Sequence, residues 1–548
     1  MNVTGPGRVW DARGWGPRLL VPLAGALAAL GFAPFHIWGV TLLALAVLFV
    51  RLIGLSGWER PGRAGFRTGL LFGLGWFSAS CFWIASAFIE RGPEFIPMIP
   101  PLVGGLAVLL SLFWGAAAAV TAKVAATGYR GWAATAFVAA FTLAELARGH
   151  VLSGFPWNMA AYAFEPGGWI SQSAHWIGVY GLTMVAYGIA AGLGLAWTAR
   201  RVRPALASGL VLAGLFGLGA LRLQDATRDI QPGVVLRLVA VPFRQSEKID
   251  PATAGRITDA HIAISLAPGL DRVSHLVWPE GAVNGLATEN EGLLRFVGAN
   301  LAAVTNDPPV WLMNSLREEV KPDRSGTPRR HYYNSSVAIL FDDDGNPAVA
   351  GVNDKKKLVP FGEFIPGGEI VERIGARIVS TALGSITPAP EKRVAHFPGL
   401  PPISPQICYE VIFPGLTPGG EPRPQAILNQ SNDAWFGSTT GPAQHAAIAR
   451  YRAIEEGLPL IRSAANGISG VFDAHGRADR ILDGKTAAHI DVVLPVGTDR
   501  AASMLHINSA LLLINVGLLL LACLWAGHYG RKGGPGSARK PNVEKQAP

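Results

Sequence analysis

The segment ISPQICYE (residues 403–410) places a solitary cysteine at the end of a predicted strand. Ile403–Ile407 is apolar enough for a buried strand, and it runs directly into Cys408, which Tyr409 and Glu410 follow. A cysteine in this position is either a small buried apolar residue or a nucleophile. Residues 231–500 contain no second cysteine, so Cys408 cannot form a disulfide within that stretch. Its chemical neighbours must decide between the two interpretations.

The surrounding residues 231–500 alternate strand-like and helix-like segments. Val234–Val241 is a β-branched run, and Asn334–Phe341 precedes Asp342–Gly345, an Asp-rich segment ending in Gly that is typical of a hairpin turn. Gln444–Glu456 has the pattern of a helix. This order predicts an α/β domain in which helices cover the sheets.

Two charged residues also follow predicted strands, and such positions converge at one edge of a sheet. Glu280 comes after Val-Trp-Pro, and Lys355 lies shortly before the segment LVPFGE that ends at Glu363. A thiol, a carboxylate and an ammonium form a complete acyl-transfer set. The carboxylate can take the thiol proton during attack, and the ammonium can stabilise the oxyanion of the tetrahedral intermediate.

Each of these residues also has a plain structural interpretation. On composition alone, Glu280 is better explained as a surface carboxylate after a strand. Lys355 lies in the charge run Asp354–Lys357, which is typical of a solvated face, and Glu363 could cap the next segment. The chain has no Gly-rich phosphate loop after a strand, no HExxH and no Cys/His metal spacing, so we expect neither a metal nor a cofactor.

The rest of the chain has the composition of a membrane protein. Half of the 548 residues are hydrophobic and 16% are charged, whereas about 25% is usual for soluble domains. Crossing a bilayer takes about 20 apolar residues. We predict a transmembrane domain over residues 1–222 with about seven helices, a catalytic domain over 231–500, a final span over 507–526 and a basic tail over 527–548. The eight predicted spans are Leu19–Phe35, His36–Val50, Thr68–Ile89, Phe95–Ala122, Gly131–Leu146, Gly168–Thr198, Pro204–Leu221 and Ile507–Ala526.

The distribution of positive charge predicts the orientation of these spans. With the N-terminus in the cytoplasm, the inside segments carry seventeen Lys and Arg residues and the short outside loops carry Arg91 and Arg148 only. Both termini are then cytoplasmic and residues 231–500 lie outside. The net charge of +9 therefore points to anionic lipid, and no nucleic-acid partner is expected. An alternative interpretation of Leu19–Ala33 is a cleaved signal peptide, although several spans follow it.

Taken together, the motifs resemble the nitrilase (carbon–nitrogen hydrolase) superfamily, and within it the apolipoprotein N-acyltransferase branch. The superfamily order Glu–Lys–Cys matches Glu280, Lys355 and Cys408. This chain resembles that branch in further segments of both predicted domains. These are GFAPF (31–35), GFPW (154–157), NQSNDAWFG (429–437), GPAQH (441–445), RAIE (452–455) and ANGIS (465–469).

The resemblance implies an αββα sandwich beside a polytopic helical membrane domain. It also implies a bacterial inner-membrane enzyme, acting as a monomer, with a periplasmic catalytic domain. The enzyme would move a fatty acyl chain from a phospholipid, through a thioester, to the α-amino group of a diacylglyceryl-apolipoprotein. Glu280 is then the base, Lys355 the oxyanion stabiliser and Cys408 the nucleophile. The supporting residues would be Glu363, Tyr409 and Glu410, and the expected pocket residues are Phe155, Trp157, Trp435 and Phe436.

One segment departs from that branch. The first strand usually runs into Gln-Gly/Pro-Asn-Ile-x-Gln and then a Trp, whereas this chain has AVPFRQ (240–245) and Ile249 at the Trp position. The loop Ala240–Ile249 could therefore alter the cleft.

Two other functions are considered. One is a membrane-tethered amidase of the nitrilase type that hydrolyses a small amide. The other is a receptor or transporter. An ion pathway would require buried charge pairs across the spans, and we expect none, which argues against this function.

Overall fold

A computed structural model describes residues 15–224, 226, 229–322, 326–365, 386–419, 421–499 and 503–531. Apolar helices occupy the N-terminal part, and one further helix closes the described chain. The bounds of the first eight are α1 Trp15–Leu27, α2 Trp38–Ile53, α3 Pro61–Ser80, α4 Ile84–Ile89, α5 Gly105–Ala125, α6 Arg130–His150, α7 Ala174–Ala199 and α8 Arg203–Gln224.

Five helical stretches among the described residues are long and apolar enough to cross a membrane. They are Trp38–Gly57, Pro93–Ala125, Ile170–Ala199, Arg203–Gln224 and Met504–His528. The stretch Leu19–Gly31 is apolar but shorter. The other two predicted runs form the Gly-rich α3, which carries Arg63 and Arg67, and α6, which contains Glu145 and Arg148. The eight-span topology thus stays a prediction.

Two details of the predicted helices are wrong. Thr68–Ile89 is not one helix, because the helix ends at Ser80 and a separate short helix, α4, begins at Ile84. Arg148 does not lie in an outside loop, because α6 continues to His150. The last helix also extends beyond its predicted span, to Arg531, and the remainder of the predicted tail, residues 532–548, lies outside the described residues.

A buried ion pair also contradicts the expectation that the helical part lacks one. Glu145 and Arg148 pair within α6, and both side chains are fully buried. Trp114 donates to Glu145 Oε1 at 2.7 Å, while Arg148 donates to the carbonyls of Phe155 (2.6 Å) and Trp157 (2.9 Å). Because the pair binds fixed protein groups, it orders the loop after α6.

The C-terminal half contains two sheets. The strands of the first are β1 Ile230–Ala240, β2 His275–Val277, β3 Val310–Pro322, β4 Pro328–Phe341, β5 Pro347–Asp354 and β11 Ala488–Pro495, in the order β11-β1-β2-β3-β4-β5. The strands of the second are β6 Ile403–Pro405, β7 Ala426–Asn432, β8 Leu460–Ala465, β9 Ser469–Phe472 and β10 Ile481–Leu482, in the order β10-β9-β8-β7-β6. Parallel pairs, β1-β2-β3 and β6-β7-β8, form the centre of each sheet.

The two sheets pack face to face, and helices cover their outer faces. Leu236 and Leu312 of the first sheet share a buried cluster with Ile403, Leu428 and Ile461 of the second. Helices α9 Gln245–Ile249, α10 Pro251–Ser265, α11 Glu291–Ala302, α12 Gly441–Glu456 and α13 Met504–Arg531 complete the described chain. Side chains of α10 and α11 pack on the outer face of the first sheet. The predicted αββα sandwich is confirmed.

The outer helix of the second sheet also contacts the membrane domain. Ile448 and Ile454 of α12 belong to one buried cluster with Leu460 of the sheet and Tyr180 of α7. Tyr451 donates from its hydroxyl to the carbonyls of Ala161 and Phe164, both at 2.8 Å. The sandwich is therefore packed onto the helical part through a shared core.

Candidate active site

Cys408 lies in a tight turn between β6 and a short 3₁₀ segment, Cys408–Ile412. Its φ of +48° is in the left-handed region that non-glycine residues seldom adopt. Two hydrogen bonds from backbone N–H groups hold the residues before it: Gln406 donates to the Leu428 carbonyl at 2.7 Å, and Ile407 donates to Glu410 Oε2 at 2.9 Å. Unfavourable backbone geometry of this kind persists where the surroundings enforce it, which is common at reactive residues.

Glu280 follows β2 and is held at both carboxylate oxygens. Asn334 donates from Nδ2 to Oε1 at 2.8 Å, and the backbone N–H of Asn432 donates to Oε2 at 3.0 Å. These donors come from the first and the second sheet, respectively. The carboxylate is thus fixed where the ends of the two sheets meet.

Lys355 is the first residue after β5 and is almost fully buried, with 1% of its side chain exposed. Its Nζ donates to Glu363 Oε1 at 2.8 Å. Burial lowers the pKa of Lys355, but Glu363, Glu280 and Cys408 raise it, and the net pKa lies above its ordinary value. Lys355 therefore stays an ammonium close to both other members of the set.

The thiol of Cys408 is in the opposite situation. Burial and the Glu280 carboxylate raise its pKa to about 12, although Lys355 acts in the other direction. The resting side chain is consequently a neutral thiol, and a nearby base is needed to take its proton when it attacks.

Glu410 connects the cysteine turn to the lysine segment. Its Oε1 accepts hydrogen bonds from the backbone N–H of Lys356 (2.8 Å) and Lys357 (3.2 Å). Its Oε2 accepts from Ile407 and, at 2.8 Å, from Lys392 Nζ. The fully buried carboxylate therefore holds the segments of two catalytic candidates together.

Tyr409 connects the same turn to the membrane domain. Its hydroxyl donates to the carbonyl of Gly154 at 2.8 Å. Gly154 belongs to the loop that Arg148 orders, and its φ is +78°. The residue beside the candidate nucleophile is therefore hydrogen-bonded to the loop that follows α6.

Three of the four predicted pocket residues form one aromatic cluster. The ring centroids of Phe155 and Trp157 are 6.0 Å apart, and those of Trp157 and Phe436 are also 6.0 Å apart. Trp83 joins both neighbours, at 4.5 Å from Trp157 and 4.7 Å from Phe436. Trp435 points elsewhere and lies under the guanidinium of Arg91, at 5.6 Å.

Gln444 of α12 fixes this cluster. Its Oε1 accepts hydrogen bonds from Trp157 (2.8 Å), Asn158 (3.0 Å) and Trp83 (3.2 Å). The next residue, His445, stacks on Trp157 and contacts Asp433 Oδ1 at 2.9 Å through Nδ1. The aromatic cluster is thus anchored to the sandwich.

The divergent loop Ala240–Ile249 packs directly against the site. Phe243 is buried against Ala434 and Ala465. Gln245 Oε1 accepts a hydrogen bond from Asn432 Nδ2 at 2.9 Å. Lys248 approaches Gly281, the residue after Glu280. The side chain of Ile249 is not among those described.

Several residues at the site were not predicted. Asn334, Asn432, Trp83 and Gln444 all make hydrogen bonds described above. The available sequence signal was Asn334 itself, a polar residue at the start of the predicted strand Asn334–Phe341. Within the described ranges there is no group of three or more His, Cys, Asp or Glu side chains that could hold a metal ion.

Comparisons with known proteins agree with this architecture. Residues 268–489 match the family model described as carbon-nitrogen hydrolase, which defines the class of the sandwich domain. Residues 24–193 match the model described as the apolipoprotein N-acyltransferase N-terminal domain.

Full-length relatives specify the family. An apolipoprotein N-acyltransferase of Agrobacterium fabrum is 35% identical over 507 residues, covering 90% of this chain and 93% of the relative. Those of Rhizobium rhizogenes and Caulobacter vibrioides are each 34% identical, covering 88% and 85% of this chain and 93% and 86% of the relatives. The chain belongs to the apolipoprotein N-acyltransferase family, and it is a membrane protein and an acyltransferase.

Proposed function

We propose that this enzyme transfers a fatty acyl chain from a membrane phospholipid to the α-amino group of the N-terminal S-diacylglyceryl cysteine of apolipoproteins. Cys408 carries the chain as a thioester between the two steps. The observation that supports this most directly is the shared hydrogen-bond system beside the thiol. Asn334 donates to both Glu280 and Glu363, and Glu363 accepts from Lys355.

In the first step, Glu280 takes the proton of Cys408 while Sγ attacks the ester carbonyl of the phospholipid. The Lys355 ammonium stabilises the oxyanion that forms. The tetrahedral intermediate then breaks its bond to the glycerol oxygen, which receives the proton from Glu280. The products are the acyl-thioester and a lysophospholipid.

In the second step, the neutral α-amine of the acceptor attacks the thioester carbonyl. An unperturbed α-amino group has a pKa near 8, so a useful fraction is neutral at pH 7. Glu280 takes a proton from the attacking nitrogen and returns it to the departing sulfur. The amide is released, and Cys408 is again a thiol.

The positions of the site and the spans suit substrates that are both held in a bilayer. Gly154, Phe155 and Trp157 belong to the loop that follows α6, and this loop contacts the cysteine turn. The excess of Lys and Arg in the predicted inside segments supports cytoplasmic termini and a periplasmic catalytic domain in the bacterial inner membrane. We further propose that a single chain is the functional unit.

An amidase that hydrolyses a small soluble amide would use the same three residues, with water in the second step. The shared core of α12 and the membrane helices favours the acyltransferase, because a tether has no need of such packing. Apolar surroundings, such as the cluster of Phe155, Trp157 and Phe436, also help to keep water from the thioester.

The function can be tested by mass spectrometry of a lipoprotein N-terminus from cells whose N-acylation depends on this enzyme. We expect N-acylated peptide with the wild type and with Cys523→Ala, which removes an exposed thiol of α13. We expect none with Cys408→Ala. Full N-acylation by the Cys408 variant would refute the proposal. In vitro, the acyl-enzyme should form from phospholipid and be released by neutral hydroxylamine.

A further inference from the structure

Lys248 lies beside the reacting groups, and the proposed mechanism gives it no role. Its Nζ lies 3.0 Å from the point where a Cβ atom on Gly281 would stand, and Asn432 Nδ2 lies 3.2 Å from the same point. Gly281 follows Glu280, and Asn432 donates its backbone N–H to that carboxylate. The ammonium therefore lies next to the base.

Hydrogen bonds to neighbouring residues hold the backbone of Lys248 in this position. Asn284 donates from Nδ2 to the Lys248 carbonyl at 2.6 Å. The residue belongs to α9, whose first turn is closed by the hydrogen bond from the Arg244 backbone to Glu247 Oε2 at 2.7 Å. Its side chain is half-buried, so it is at the edge of the cleft and keeps some access to it.

The ammonium has no protein acceptor among the residues that the structure describes. Asn432 Nδ2, which lies near the same point beside Gly281, is a donor that already serves Gln245. The carboxylate of Glu247 faces the Arg244 backbone. Glu280 already accepts from Asn334 and Asn432. Burial lowers the pKa of Lys248 below its ordinary value, and Glu280 and Cys408 oppose this shift only in part.

A partly desolvated ammonium without an acceptor is unfavourable, so this position suits an anionic group brought by a ligand. We propose that Lys248 binds the phosphodiester of the acyl donor. This inference rests on the proposed function, in which the donor is a phospholipid. The ester that Cys408 attacks and the phosphate are then on the same glycerol, whereas the diacylglyceryl acceptor has no phosphate.

Lys248 would therefore determine donor specificity and act in the first half-reaction only. A charged hydrogen bond to phosphate contributes about 1.5–3 kcal/mol, so its loss should reduce kcat/KM about 10- to 150-fold. A cation that merely tuned Cys408 or Glu280 would behave differently, because both groups act on every donor and in both steps.

The test uses the full-length enzyme and two acyl donors, a phosphatidyl lipid and the p-nitrophenyl ester of the same fatty acid, which lacks phosphate. Formation of the Cys408 acyl-enzyme is measured for the wild type, Lys248→Met, Lys248→Arg and a control, Lys485→Met, at an exposed lysine. We expect kcat/KM for acyl-enzyme formation by Lys248→Met to fall about 10- to 150-fold with the phospholipid and to equal that of the wild type with the ester. Lys248→Arg should recover most of the loss, and aminolysis of the preformed thioester should not change.

Equal losses with both donors, or no loss with the phospholipid, would overturn the role of Lys248 while leaving the proposed function intact. Failure of the wild type to form an acyl-enzyme from phospholipid, when the ester does acylate Cys408, would instead refute the phospholipid donor and, with it, this inference.

Discussion

Asn334 donates a hydrogen bond from Nδ2 to Oε1 of Glu280 at 2.8 Å, which ties the proposed base to the centre of β4. The same nitrogen donates to Glu363 Oε1 at 3.0 Å, and Asn314 donates to Asn334 Oδ1 at 2.7 Å. One amide thus keeps two carboxylates in place near Lys355. Because Asn314 fixes which end of the amide carries the oxygen, Nδ2 is directed at both carboxylates.

Asn334→Asp should therefore be strongly impaired. The substitution replaces a donor by a third carboxylate beside Glu280 and Glu363, and each lost hydrogen bond to a charged group contributes about 1.5–3 kcal/mol. We expect the rate of acyl-enzyme formation to fall about 100-fold, measured by trapping the thioester. Asn306→Asp, at an exposed position, is the control. A rate within twofold of the wild type would contradict the assignment.

Glu363→Gln should change the pH dependence of the first half-reaction. Glu363 is the strongest influence that raises the pKa of Lys355, while burial lowers it. Without that carboxylate the pKa falls, so the ammonium is lost at lower pH. The alkaline decline in acyl-enzyme formation should then begin at a lower pH than in the wild type. Measuring the first half-reaction alone excludes titration of the acceptor amine, and an unchanged alkaline limb would refute the pairing.

Glu410→Gln should destabilise the catalytic domain. The change leaves Lys392, whose side chain is 5% exposed, without its partner. Removing one member of a buried ion pair costs about 3–5 kcal/mol. We expect a lower unfolding temperature in detergent, and partial recovery in the double variant Glu410→Gln/Lys392→Met, because the isolated charge is then gone. Identical unfolding of the single and double variants would show that the pair is not coupled.

Gln444→Met should loosen the contact between the two domains. It removes the acceptor of Trp83, Trp157 and Asn158, and each buried donor left unpaired costs about 1–3 kcal/mol. We expect the free energy of unfolding to fall by about 3 kcal/mol or more, and the tryptophan fluorescence to shift to the red. Thr440→Val is the matched control, because it removes only the acceptor of Gln444 Nε2. Equal effects of the two variants would contradict the anchoring role.

Local patterns were sufficient for much of the sandwich. The turn Asp342–Gly345 predicted the hairpin between β4 and β5, and Asp342 Oδ1 indeed accepts from the backbone of Asp344 and Asn346. The apolar run before Cys408 predicted β6 because a short buried strand leaves a clear signal. Strand β11 was missed, although it pairs with β1 over Val235–Ala240. Its partner is about 250 residues away, and no local pattern carries that information.

The candidate site was predictable to a similar degree. Glu280, Lys355 and Cys408 follow strand ends, and the structure brings them together. Asn334 and Lys248 contact residues that are far from them along the chain. Their neighbours therefore cannot be predicted from the spacing of motifs. The Glu145–Arg148 pair was missed because its partners, the Trp114 indole of α5 and two carbonyls of the loop after α6, are brought to it by the fold and not by spacing along the chain.

The burial of α12 on both sides has a practical consequence for attempts to simplify this enzyme. Tyr451, Ile448 and Ile454 use one helix to complete the sandwich and to fill the helical bundle at the same time. Cutting the chain before β1 would remove the membrane helices that cover α12 and expose its apolar side chains to water. A truncated, water-soluble catalytic fragment is therefore expected to aggregate, and reconstitution in detergent or nanodiscs is the appropriate format for every assay proposed above.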